Sequence, residues 1–134
     1  AAEQFTVAVL RPAGAAPAGL ARLAALCEAF VAYAAGPESP LTPGHRAFGR
    51  GLPLAAETRL AGWAKQWHQA LAAAAGDAAG RGEFAAATDP VQVAFELAAL
   101  LDGAARALDD APADDVVRRT RAGVDRLLMA WTAA

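Results

Sequence analysis

The chain has 134 residues, of which 56% are hydrophobic and 19% charged, a balance that suits one globular domain and excludes a disordered or multi-domain chain. Twelve basic side chains against 14 acidic ones leave a formal net charge of −2, which excludes the positive field that phosphate-backbone binding needs. A single cysteine, Cys27, excludes a disulfide framework and any multi-cysteine zinc site. No basic stretch runs into an apolar one at the N-terminus, and no apolar run reaches the ~18 residues of a membrane span, so a cytoplasmic setting is expected. The chain opens on Ala1 and its one methionine is Met129, which reads as an excised or processed piece of a longer product.

Alanine dominates, and alternation of Val, Ile, Thr and Tyr is nowhere sustained, so the expected fold is all-α. Residues 3–10 read as the end of a helix and 11–19 as a Pro/Gly/Ala linker. A second helix is expected over 18–35, with Leu20, Leu23, Ala24, Cys27, Phe30, Val31 and Ala34 on one face, ended by Gly36-Pro37. The stretch 37–53 is irregular, with Thr42-Pro43 able to cap one short helix carrying His45 and Phe48.

A long third helix is expected from about residue 53 to residue 75 or 79. Its apolar face is Leu60, Trp63, Ala64, Trp67, Leu71 and Ala74, with Glu57 and His68 on one flank. Gly80-Arg81-Gly82 breaks it. Asp89-Pro90 is a start signal for a fourth helix to about residue 108: Asp89 accepts from first-turn amides, Pro90 suits the first position, and Gln92 gives a capping-box-like spacing. After the turn at 109–112, Asp114 and Asp115 favour the N-terminus of a fifth helix. Pairs Asp114/Arg118, Asp115/Arg119 and Arg121/Asp125 have helix-supporting spacing. Val117, Thr120, Val124, Leu127, Leu128 and Trp131 form the buried stripe.

The fourth helix is apolar over an arc of roughly 200°, against the ~100° of a helix buried on one side. It therefore needs two burial partners. One is the protomer's own core; the second is most economically another copy, giving an isologous four-helix bundle from the last two helices of each chain. The interface residues expected are Val93, Leu97, Leu100, Leu101, Ala104 and Leu108, with Val117, Thr120, Val124, Leu127, Leu128 and Trp131. The alternative is a central helix wholly internal to a monomer.

Chemistry finds few footholds. His45 and His68 stand 23 positions apart, with no helical metal-ligand spacing, so no metal and no cofactor are expected. Cys27, on an apolar helix face, reads as an inert small hydrophobe. Aspartates 109, 110, 114 and 115 flank a turn and read as caps and solvated surface rather than an acid/base dyad. The arginines at 118, 119, 121 and 126 are interleaved with aspartate, as on a solvated face. The aromatic residues point further: Phe30, Tyr33, Phe48, Trp63 and Trp67 are candidates to enclose one apolar space, with Glu57 and His68 as polar handles at its edge. Equally, these rings fill the core of an Ala-rich bundle.

The run Arg81-Gly82-Glu83-Phe84, then Thr88-Asp89-Pro90-Val91-Gln92-Val93-Ala94-Phe95-Glu96-Leu97-Ala98-Ala99-Leu100-Leu101-Asp102-Gly103-Ala104, resembles the GEF…DP…AFEL…LLxGA segment of the tetracycline-repressor (TetR) family of transcriptional regulators. Residues 118–131 are similar to that family's last helix, and 20–33 to its LRALCEAWLAY-type segments. The resemblance implies a C-terminal ligand-binding and dimerisation domain over 1–134. In it the last two helices form the homodimer bundle, and the upstream helices enclose a small-molecule effector, with the seven residues just named as the pocket candidates. The family's N-terminal helix-turn-helix head has no counterpart in the sequence, so operator DNA is expected to be met only through a segment outside it. Two other readings stand beside this one: a small all-α enzyme using Glu57 and His68 as an acid/base pair, and a purely structural helical module.

Overall fold

The computed structural model describes residues 5–36 and 54–133, with the backbone alone over 54–63. A π-helical stretch, Thr6–Leu10, runs directly into a short helix α1 (Arg11–Gly14). It is followed by α2 (Leu20–Ala35), α3 (Leu54–Gly80), α4 (Pro90–Ala107) and α5 (Ala113–Trp131). The fold is an all-α helical bundle. Among the described residues the extended contact is an isolated antiparallel bridge between Phe84 and Thr132.

The segment 11–14 is helix rather than the expected linker. Pro12 sits in the first turn of α1, where its missing N–H is not needed, and the wider winding before it, with Arg11 N–H bonded to the Thr6 carbonyl, fits the proline in without a break. This keeps Phe5, Val9 and Ala13 in one buried row. The expected short helix at 42–48 lies outside the described residues.

Helix α2 is the hub: the N-terminal turn, α1, α3, α4 and α5 all pack on it. It buries Leu26 as well as the expected Leu23, Cys27, Phe30, Val31 and Ala34, because neighbours cover it on more than one side. The most extensive packing is between α3 and α4. On α3 the buried row is Trp67, Leu71, Ala74, Ala75 and Ala78, and a fully buried large apolar side chain contributes about 1.5–3 kcal/mol.

The junction after α3 shows why Gly-Glu-Phe occurs there. Gly82 has φ +71°, the left-handed conformation that favours glycine. Its N–H donates to the Ala79 carbonyl (3.1 Å) and that of Glu83 to Ala78 (3.0 Å), closing the helix with a paired C-terminal motif. The Glu83 carboxylate then accepts the Leu20 N–H at 3.2 Å, capping α2, whose own N-cap is the side-chain-less Gly19. The Glu83 carbonyl accepts the Ala133 N–H (3.0 Å) while Ala85 N–H donates to Trp131 (2.7 Å). Phe84, between them, plugs the core. One residue thus joins the end of α3, the start of α2 and the tail after α5.

Asp89 caps α4 as expected, its Oδ1 accepting the Val91 N–H at 2.9 Å. The bridge between Phe84 and Thr132 sets the end of α5 beside the start of α4, so the two helices form an antiparallel hairpin. At its crossing, a Cβ on Gly123 would lie 3.1 Å from Leu100 Cδ2, so glycine there admits the leucine. On α5, Asp115 binds both Arg119 (3.0 Å) and Arg118, in that order of effect, and the two hold its carboxyl below the usual range. Arg121 does not turn to Asp125. Its Nε donates to both oxygens of Glu28 on α2, at 3.1 and 3.0 Å, an ion pair across the bundle that helix spacing cannot foresee.

Candidate functional site

Three of the aromatic candidates meet. Phe30 from α2 stacks on Trp67 from α3, with ring centroids 4.7 Å apart and planes at 18°. Tyr33, one turn beyond Phe30, joins through a fourth ring that the sequence reading missed. Phe5 stands edge-on to Phe30 (6.3 Å, 76°), Tyr33 (5.8 Å, 71°) and Trp67 (5.6 Å, 89°). Edge-to-face geometry sets the positive ring edge on a negative ring face. The signal that could have found Phe5 was its spacing from Val9 and Ala13 at i, i+4 and i+8, hidden by reading 11–19 as linker.

Phe48 lies outside the described residues. Glu57 and Trp63 lie on α3, in the stretch whose backbone alone is described. Eleven residues of continuous helix put the backbones of Glu57 and His68 about 16 Å apart along the axis. His68 instead faces Asp102 of α4, Nε2 to Oδ2 3.6 Å, both side chains about half exposed. The pair ties α3 to α4 at the surface, away from the buried rings.

The cluster carries an unmet polar requirement. The Trp67 Nε1 and Tyr33 hydroxyl atoms are buried and have no hydrogen-bond partner among the described residues. Trp67 itself is wholly buried. Burial pushes the Tyr33 phenol up from its ordinary 10.0, so it stays protonated at neutral pH. An unpaired buried donor costs about 1–3 kcal/mol, which a bound acceptor would recover.

A second concavity, a groove of about 200 Å³, runs between α2 and α5 over Ala24, Cys27, Val31, Val124 and Leu128, with Glu28, Arg121 and Asp125 at its edge. The ion pair of Arg121 and Glu28 already answers its main polar groups. Cys27 is no nucleophile: burial first, then the Glu28 charge, pushes the thiol up to about 12, so it stays protonated. Among the described residues, no group of three His, Cys, Asp or Glu side chains is placed to hold a metal, and no helix is long and apolar enough to cross a membrane.

The expected dimer residues divide. Val93, Leu97, Leu101, Thr120 and Val124 are buried within the protomer itself. Leu100, Ala104, Leu108, Val117, Leu127, Leu128 and Trp131 remain partly exposed. The apolar arc of α4 is real, but its outward side is marked by Val91 and Phe95, 71% and 67% exposed. Met129 is exposed likewise on α5.

Residues 50–124 match the family model described as tetracyclin repressor-like, C-terminal domain. The chain belongs to this family. The TetR-like domain so defined spans α3, α4 and most of α5, and its family role is that of a regulatory module of transcriptional regulators rather than an enzyme. No curated protein and no solved structure matches the chain.

Proposed function

We propose that this domain senses a small, apolar or aromatic effector at the Phe5, Phe30, Tyr33 and Trp67 cluster and pairs with a second copy through the α4 and α5 hairpin. The observation that carries the effector reading is the coincidence, in a chain of the TetR-like family, of packed rings with two buried donors that lack a partner among the described residues. Natural cores leave few such atoms, and sites that bind are where they are kept. The pairing reading draws support from the apolar residues the hairpin leaves outward, Val91, Phe95 and Met129, together with its half-buried leucines. In the regulator, an effector acts by favouring one of two arrangements of the paired domains, and it shifts them only by its difference in affinity. Operator contact falls to a DNA-binding segment other than these mildly acidic helices, and the setting is the cytoplasm.

Two measurements test this. Sedimentation equilibrium at micromolar concentrations should give a dimer that Phe95→Glu weakens; a monomer throughout rules out the pairing. A panel of small aromatic compounds should raise the melting temperature of the wild type and lose most of that effect in Phe30→Ala. Compounds that stabilise both proteins equally would place the effector elsewhere.

A further inference from the structure

Resting on the reading of the ring cluster as the effector site, we infer that its ligand is a neutral, flat molecule bearing a hydrogen-bond acceptor, of the aryl ketone or amide kind, held by donation from Trp67 Nε1 and the Tyr33 hydroxyl. Three observations select this chemistry. An indole N–H is a donor only, so whatever completes Trp67 must accept; Tyr33, whose ring meets the same Phe5 ring, carries a second donor, its protonated hydroxyl.

Burial disfavours an ionised acceptor. Among the described residues the buried polar or charged side chains reduce to Thr120, whose hydroxyl already donates to the Val116 carbonyl at 2.6 Å. A carboxylate or phosphate brought to the cluster would meet no described cation to balance it, and an unpaired buried charge is far costlier than a neutral carbonyl. Shape follows from the rings. Phe30 and Trp67 are already stacked face to face and Phe5 meets its neighbours edge-on, so a planar guest joins the cluster as one more ring in that arrangement.

The test uses 1-tetralone, its hydrocarbon tetralin, and the ionised 1-naphthoate as probes, with titration calorimetry on the wild type and on a Tyr33→Phe, Trp67→Phe double variant. The wild type should bind the ketone about tenfold more tightly than the hydrocarbon, and the naphthoate more weakly than either. The double variant should bind ketone and hydrocarbon alike. A ketone preference that survives in the double variant, a hydrocarbon bound as tightly as the ketone by the wild type, or a naphthoate bound best overturns the assignment while leaving the site. Failure of all three probes to bind either protein takes the effector site down with it.

A ligand-free measurement closes the remaining gap. Because Tyr33→Phe deletes an unpaired buried hydroxyl and keeps the ring, the melting temperature of the free protein should stay level or rise by a few degrees. A fall of several degrees shows that the hydroxyl already has a partner, a buried water included, and overturns the inference.

Discussion

The α4 and α5 hairpin and the ring cluster are built on opposite terms. In the hairpin small residues let backbones approach, Asp89 caps, Thr120 bonds its own helix, and Asp115 holds two arginines. In the cluster bulky rings supply the contact area, and the two unpaired buried side-chain atoms among the described residues both belong to it. The difference separates a surface made to persist from one that keeps hydrogen-bonding capacity in reserve. Departures from local self-consistency of that sort are expected at sites of function.

Substitutions can break or sharpen this contrast. Leu97→Ala, in the hairpin's buried row, should cost about 2–5 kcal/mol by denaturant unfolding, whereas Tyr33→Phe in the cluster should cost nothing. Comparable costs would erase the distinction. Cys27, on the helix shared by both regions, gives the next largest effect. Its folded thiol keeps its proton to about 12 against an ordinary 9.0, so above pH 9 the unfolded chain loses a proton that the folded one retains. Stability is therefore whole below pH 9 and declines above it, by up to about 1.4 kcal/mol per pH unit until the folded thiol titrates. Cys27→Ala should remove that slope in alkaline unfolding curves while leaving the slope near neutrality as it was.

Asp89→Ala should cost about 1 kcal/mol through the lost cap, measured by thermal unfolding; a silent change would show that the hairpin's polar satisfaction carries little energy. The smallest effect distinguishes two glycines. Gly103→Ala adds a Cβ that meets nothing within 4 Å and should stabilise the protomer by about 0.5–1 kcal/mol, while Gly123→Ala meets Leu100 at 3.1 Å and should gain nothing. If Gly103→Ala also weakens dimerisation in sedimentation runs, the open side of α4 at Gly103 faces the partner.

Local chemistry made much of the fold legible. Asp89-Pro90 announces the start of α4 because the side chain and the ring act within two residues of their targets, and the 3.6-residue period gives most of the buried row of α2, Trp67, Leu71 and Ala74 on α3, and Thr120 and Val124 on α5, where Val116 is buried and Val117 only partly so. What escaped was whatever depends on a distant partner. Arg121 has an aspartate at helix spacing yet chooses Glu28, 93 positions away. The period shows that α4 is apolar on two sides without saying which side the protomer itself uses, and the structure turns Leu97 and Leu101 into the protomer's core. For the site, Phe30, Tyr33 and Trp67 were legible as rings in helical register. Phe5 and the unmet donors were not, since neither a fourth ring's approach nor the absence of an acceptor is written in spacing.

The bonds around Glu83 have a consequence for how the molecule breathes. Two of them, to Leu20 at 63 positions and to Ala133, span long separations, so closing them costs more chain entropy than folding the adjacent hairpin and places them late in assembly. In the folded protein the same linkage works in reverse. One local opening that frees Glu83 undoes the first amide of α2, the last turn of α3 and the tail bond of Ala133 together. Amide protons at Leu20, Glu83 and Ala133 should then exchange with solvent at a shared rate, marking a cooperative seam through three helix ends.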